Sequence, residues 1–325
     1  MTSLLSRIRK RISIMAASFQ QDCRFSYKLA YYRVMDDICS RIGLQKTSSR
    51  YHAKKDAWIL DFLEEQLQSV FKQFADDNDE GIYQENAPIW ICWWTGENTM
   101  PPLVQKCVES IRKNADEHSV NYISKDTYNH FLTIPQYILD GVASHRIGLA
   151  HLADYIRVSL LSLYGGIWLD ATIFCSAELP AVFWSLPFFT CKSKESKSCR
   201  YLSQMRWTTF VLGGWQNNVV YRYLKQAFEH YWSINSNAVD YLFFDYIIEL
   251  GYRQIPSVRN MIDAVPYNNL HRDDLQAAMN AALPAEQWKN IVNTNTVLYK
   301  LSWRETYLPK TADGKDSIFT YFLSY

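Results

Sequence analysis

His151-Leu-Ala-Asp154-Tyr-Ile-Arg157-Val-Ser-Leu-Leu-Ser-Leu-Tyr164-Gly165-Gly166-Ile-Trp168-Leu-Asp170-Ala-Thr172 is the stretch on which the reading of this 325-residue chain turns. Apolar residues fill it at helical spacing as far as Tyr164, two glycines stop the helix, and Ile167-Trp168-Leu169 is a short β-rich run ending on an acid. The pattern predicts a helix from about Ile147 to Tyr164, a tight reversal that glycine permits because it carries no Cβ, and a buried strand that delivers Asp170 to a sheet edge. Asp154 and Arg157 stand three apart and so share a helix face, presenting an acceptor beside a bidentate cationic donor. A carboxylate placed like Asp170 can hold a hard cation, and Mg²⁺ or Mn²⁺ suits oxygen ligands completed by water and phosphate oxygens. A single Asp at a strand end usually caps the next element. The full spacing, D-x-x-R, about a dozen residues, then G-G-x-x-x-D, is what carries weight.

Upstream, Ile89-Trp90-Ile91-Cys92-Trp93-Trp94 is too short and too β-rich for a helix, and Thr95-Gly96-Glu97-Asn98 ends it. Pro101-Pro102 opens a helix running to about Asn114, and Val120–Ser124 reads as a second strand. This β-α-β order predicts a parallel sheet with functional groups on loops beyond the strand C-termini. Downstream, Trp207–Leu212 reads as a strand and Gln216–Trp232 and Val239–Leu250 as helices. Residues 1–75 read as mostly helical, with an apolar stripe along Asp56–Phe74, and the acidic run Asp76–Gly81 looks like a boundary. The expectation is an α/β chain with an N-terminal helical extension over residues 1–80 and a catalytic domain over residues 81–325.

The net charge of +1 conceals two opposite parts. Residues 1–33 carry Arg7, Arg9, Lys10, Arg11, Arg24, Lys28 and Arg33 against Asp22, a net of +6, so the remaining 292 residues sum to −5. Leu4, Ile8, Ile12, Met15 and Phe19 recur near helical spacing, which suits either a basic amphipathic helix on an anionic membrane surface or a solvated basic helix on the body. The apolar core there is too short and too interrupted for a secretory signal, and no stretch reaches the length of a membrane span. The acidic body argues against a nucleic-acid enzyme. Seven scattered cysteines without a CxxC suit reduced, buried thiols better than a disulfide frame or a zinc site. Most of the eleven tryptophans read as packing; Trp215, after Gly213-Gly214, is the one singled out for acceptor contact.

The central segment resembles the DXD-containing sugar transferases of glycosyltransferase family 32, most closely the bacterial capsular polysaccharide synthesis proteins and more distantly the clostridial toxin glucosyltransferases. The resemblance runs from about Pro88 to Trp303, with weaker support at Ile89–Gly96, Trp207–Trp215, Asp240–Asp245 and Lys300–Trp303. It implies a GT-A type fold, a Rossmann-like mixed sheet flanked by helices, and retaining transfer of a hexose from a nucleotide-sugar donor, a UDP-sugar being favoured. By position, Asp154 would hydrogen-bond donor-sugar hydroxyls, Arg157 would contact the sugar or diphosphate, and Asp170 would open the DXD motif as a metal ligand. Trp94-Thr95-Gly96 matches the nucleotide-side loop, where an aromatic can stack on the base. Lys300, in Tyr299-Lys300-Leu301-Ser302-Trp303, would reach the diphosphate as a point charge. Asp240 and Asp245 would start a helix facing the donor sugar, one of them stabilising oxocarbenium-like charge; Asp240 is preferred, with a helix N-cap as its structural alternative.

One position departs from the motif. Thr172 stands where the second Asp belongs, a variant the capsular subgroup tolerates, so the implied Mn²⁺ or Mg²⁺ site consists of Asp170 and Thr172. The implied acceptor is a lipid-linked oligosaccharide or polysaccharide at the inner face of the cytoplasmic membrane, with residues 1–33 as a peripheral contact on a cytoplasmic protein. Thr172 also keeps open a non-catalytic scaffold or lectin-like component of a polysaccharide assembly complex. A toxin-like protein glucosyltransferase would use the same site.

Overall fold

Strand β3, Gly166–Leu169, is fully buried and sits at the centre of a five-stranded sheet of order β2-β1-β3-β6-β5. The computed structural model that shows this describes residues 15, 16, 18–195, 199–282, 285–292 and 294–324. The other strands are β1, Ile89–Cys92; β2, Val120–Ile123; β4, Ile173–Cys175; β5, Phe188–Thr190; β6, Val211–Gly214; and β7, Leu298–Lys300. The helices are α1, Tyr27–Arg41; α2, Gln45–Phe74; α3, Pro102–Lys113; α4, Gln136–Ala143; α5, Leu149–Tyr164; α6, Val182–Ser185; α7, Val219–Ile234; α8, Phe243–Gln254; α9, Pro256–Ala264; α10, Asp274–Ala278; α11, Ala285–Val292; and α12, Ile318–Ser324.

β1 pairs in parallel with β2 and with β3, in the register Ile89↔Val120 and Ile89↔Ile167, so these three strands end at one edge. β6 runs antiparallel to β3, with Leu169 opposite Val211, and β5 runs antiparallel to β6. The sheet is therefore mixed, flanked by helices and preceded by a helical N-terminal region, as the resemblance implies; the parallel pairing expected from the β-α-β order holds for β1, β2 and β3 only. A second, two-stranded sheet pairs β4 with β7, Ile173 facing Lys300.

The Gly165-Gly166 reversal has a steric cause. Both residues have positive φ, +63° and +91°. A Cβ on Gly166 would lie 2.0 Å from the Pro88 carbonyl oxygen, and one on Gly165 would lie 2.6 Å from the Gln216 nitrogen. Backbone entering β1 and backbone leaving β6 together leave no room for a side chain at this corner.

The helix expected from Gln216 begins at Val219, and two further elements begin four residues later than the sequence suggests. The strand expected over Trp207–Leu212 is Val211–Gly214, because Thr208 is held by the Thr190 side chain, its N–H donating to Oγ1 and its carbonyl accepting from it. That leaves residues 207–210 outside the strand. The helix expected from Val239 begins at Phe243, since Asp240 Oδ1 accepts from Leu242 N–H and forms a turn ahead of the helix.

The N-terminal helices and the sheet share one hydrophobic core. Leu60, Leu63, Leu67, Val70 and Phe74 of α2 are buried in the same cluster as Trp90, Trp168 and Phe244, and α2 packs on α7 and α8. Most of the expected basic amphipathic helix (Leu4, Ile8, Ile12, Arg7, Arg9, Lys10, Arg11) lies outside the described residues. Arg33, counted with that basic leader, points inward: it pairs with Asp22 at 3.1 Å and with Asp240 at 2.9 Å. Among the described residues no helix is long and apolar enough to cross a membrane. All seven cysteines are free.

Candidate active site

Helix α5 and strand β3 place Asp154, Arg157 and Asp170 in one hydrogen-bonded row. Arg157 Nη1 donates to Asp154 Oδ1 at 3.0 Å, and Nη2 donates to Asp170 Oδ1 at 3.1 Å. The guanidinium is buried between the Trp168 ring, 4.8 Å to its centroid, and the Phe244 ring, 5.5 Å away. A desolvated cation is held there by two carboxylates and two aromatic faces, which fixes its fork in one plane. The i,i+3 spacing makes the first contact on the helix; the glycine reversal folds Asp170 back to make the second.

Lys300 completes the row from the far end of the sequence. Its Nζ lies 2.8 Å from Asp170 Oδ2 and 2.8 Å from Thr172 Oγ1, and 5.1 Å from the centroid of the Phe210 ring. Three backbone contacts hold it there: the β4–β7 pairing, Leu301 N–H on the Thr172 carbonyl, and Lys300 N–H on the Arg272 carbonyl. Trp168 Nε1 adds a third donor to the Asp170 carboxylate, reaching Oδ1 at 3.0 Å, a contact that sequence reasoning missed because nothing marks one buried indole from another. Burial alone would raise the Asp170 carboxyl, but the Lys300 and Arg157 charges and these hydrogen bonds outweigh it and hold the group below the usual carboxylate range. Asp154 goes the other way. Burial, with Asp170 nearby, lifts it to about 6 against the pull of Arg157.

An open cleft of about 310 Å³ lies beside this row, lined by Tyr201, Met205, Trp207, Phe210, Leu242 and Asp245 among others. Phe210 joins the two: its ring lies under Lys300 and its carbonyl accepts from Asp170 N–H at 3.0 Å. Asp245 Oδ1 accepts from Trp207 Nε1 at 2.9 Å, and burial pushes its carboxyl up to about 6, with the Asp154 charge adding to the rise. Trp207 and Phe210 reach the cleft because residues 207–210 are not in the strand.

Asp240, the preferred member of the acidic pair, is not brought to this cleft. It is buried between the N-terminal helices and α8, with Oδ2 2.9 Å from Arg33 Nη2 and 3.6 Å from Lys55 Nζ, and Oδ1 on Leu242 N–H. These contacts are structural, but Asp240 is not the helix N-cap expected as its alternative: Leu242 holds that position without a side-chain cap bond, and Asp240 forms the turn before it. Trp94, Thr95 and Gly96 follow β1 at the same sheet edge as Asp170. Trp94 packs on Tyr128 at 5.4 Å, Thr95 Oγ1 lies 2.6 Å from Thr99 Oγ1, and Gly96 takes φ +99° with nothing near its Cβ position. Among the described residues none of the three bonds to the charged row; the neighbouring Trp93 packs on Trp303 at 5.7 Å. Trp215 follows the C-terminus of β6, at the opposite edge of the sheet, and donates to the Trp184 carbonyl. It cannot meet a ligand held at Asp170.

The donor set at Asp170 and Thr172 does not suit a divalent cation. Oδ1 already accepts from Arg157 and Trp168, and Oδ2 and the Thr172 hydroxyl share the Lys300 ammonium. No group of three or more His, Cys, Asp or Glu side chains converges on a metal position among the described residues. A dication about 4 Å from that ammonium would be repelled by on the order of 8 kcal/mol at an effective dielectric of 20.

Comparison with known proteins places the chain. Residues 41–322 match the model of the capsular polysaccharide synthesis protein family. Two curated relatives are fungal: O-glycosyltransferase PaGT of Phomopsis amygdali, 25% identical over 46% of this chain and 40% of its own length, and O-glycosyltransferase braB of Annulohypoxylon truncatum, 26% identical over 30% of this chain and 25% of its own. The chain thus spans less than half the length of these relatives. A solved structure, the PaToxG glycosyltransferase, superposes on 76% of this chain and 94% of its own with a TM-score of 0.39 at 14% identity. The chain belongs to the capsular polysaccharide synthesis family.

Proposed function

We propose that this member of the capsular polysaccharide synthesis family is a retaining glycosyltransferase that moves a hexose from a nucleotide-sugar donor, UDP-sugars first among candidates, to a glycan acceptor of capsular or cell-surface polysaccharide. The observation that carries the reading is the alternating row Asp154–Arg157–Asp170–Lys300 at the C-terminal edge of parallel strands, beside a cleft of ligand size. Two fixed cations suit a diphosphate whose negative charge grows as the bond from the anomeric carbon to the diphosphate oxygen breaks. Asp154 keeps Oδ2 without a protein donor among the described residues, available to a sugar hydroxyl. Asp245 takes the role first given to Asp240: a carboxylate in the cleft wall that meets positive charge developing at the anomeric carbon. Trp94, Thr95 and Gly96 form the nucleotide side of the same edge.

The acceptor in this reading is a lipid-linked oligosaccharide or polysaccharide at the inner face of the cytoplasmic membrane, approached through the basic residues that precede Arg33. The test is an assay of the purified chain with a panel of nucleotide sugars, with the anomeric configuration of the product read by NMR. Asp170→Ala, which frees both Lys300 and Arg157 from their anchor, should lower transfer by roughly 100-fold or more. Full activity of that variant would remove the site from the reaction. A scaffold or lectin-like protein would give no transfer with any donor.

A further inference from the structure

Asp170 and Thr172 are the two side chains that the motif offers to a metal, and an ammonium group sits between them. We propose that Lys300 is the resident cation of this site, standing where a divalent metal would otherwise bridge protein and diphosphate, so that the donor is bound without metal. The proposal rests on the nucleotide-sugar reading above and deepens it.

Three observations support it. First, the ammonium is equidistant, 2.8 Å, from Asp170 Oδ2 and Thr172 Oγ1, and so uses the oxygens of the motif as its own ligands. Second, the protein's own charges balance before the donor arrives: Asp154 and Asp170 pair with Arg157 and Lys300, leaving no excess of carboxylate to attract a dication. A second Asp at position 172 would leave that row short of positive charge, whereas the Thr hydroxyl accepts from Lys300 and adds none. Third, Lys300 is built into the fold. It is the last residue of β7, opposite Ile173 of β4, and the backbone bonds on either side lock it over the Asp170–Thr172 turn. An ammonium has three N–H groups; two are used here, and the third meets no acceptor among the described residues. That donor is available to a phosphate oxygen, while Arg157, buried between Trp168 and Phe244, holds the other carboxylate oxygen in place.

The experiment is calorimetry of UDP and GDP binding to the full chain in EDTA, then in excess Mn²⁺ or Mg²⁺. Wild type should bind one of them in EDTA with a Kd that metal leaves unchanged. Lys300→Met, which keeps the apolar stem, should weaken that binding about tenfold or more in EDTA. The double variant Lys300→Met with Thr172→Asp exchanges the ammonium for a second carboxylate and should bind only when Mn²⁺ is present. Thermal unfolding of each variant reports folding, and the wild-type measurement decides the matter even if a variant does not fold. Binding by wild type only in the presence of metal would overturn the role of Lys300 while leaving the donor reading intact. Metal-free binding by Lys300→Met equal to wild type would do the same. No binding of either nucleotide with or without metal would overturn the donor reading, and this inference with it.

Discussion

Asp245 and Asp154 are the residues whose environments define the site's pH behaviour. Each is raised by burial to about 6, Asp154 against the attraction of Arg157 and Asp245 against the Trp207 hydrogen bond. Both are protonated below that value and charged above it. A carboxylate that stabilises positive charge must be ionised, so kcat/KM should fall as pH drops through about 6. Asp170, held below the usual carboxylate range by Lys300 and Arg157 despite its burial, stays ionised throughout and contributes nothing to that limb. Asp245→Asn should lower transfer about 100-fold and leave an acid limb that belongs to Asp154. A pH–rate profile of both proteins checks this, and an unaltered profile and rate would remove Asp245 from the cleft chemistry. Sequence spacing could not choose between Asp240 and Asp245. Asp240 is claimed by Arg33 and Lys55, which lie about two hundred residues away in the chain, and no local pattern reports that.

At the scale of the element, the corner between α5 and β3 governs everything that follows. The double glycine predicted the corner, and its cause is the approach of the Pro88 carbonyl to 2.0 Å from any Cβ at position 166. Gly166→Ala combines a positive φ with a backbone clash, and should cost about 3 kcal/mol or more. The measurement is a denaturant midpoint shift at unchanged slope; a variant as stable as wild type would mean that the corner relaxes freely. Helix α5, strand β1 and helix α3 were legible from local signals: an apolar period with a glycine stop for α5, a short β-rich run for β1, and prolines at the first turn of α3. Strand β6 was misplaced by a few residues because side-chain bonds between Thr190 and Thr208, eighteen residues apart, hold Thr208 outside the ladder. The same displacement turns Trp207 and Phe210 into cleft walls.

For the whole molecule, the N-terminal helices are part of the body's architecture. Phe71 and Phe74 pack around Tyr223, Tyr246 donates to Asp56 at 2.6 Å, and Arg200, next to the cleft wall, pairs with Asp36 at 2.8 Å. Deleting residues 1–80 would strip α7 and α8 of this cover and leave Asp240 buried or exposed without its cations. The truncated chain should aggregate or lose near-ultraviolet circular dichroism and cooperative unfolding; an unfolding transition like that of the full chain would show instead that the body stands alone. The sequence by itself determined the α/β class, the glycine corner between α5 and β3, and the shared helix face of Asp154 and Arg157, because periodicity, glycine sterics and i,i+3 spacing act over short stretches of chain. The tertiary structure decided the rest: that Lys300 lands on Asp170 and Thr172, that Asp245 and not Asp240 faces the cleft, and that Trp215 points to the far edge. Those outcomes depend on which strands pair and which buried charges find partners. Such contacts join residues up to two hundred positions apart, where the free energy of burial, not local propensity, selects the neighbour.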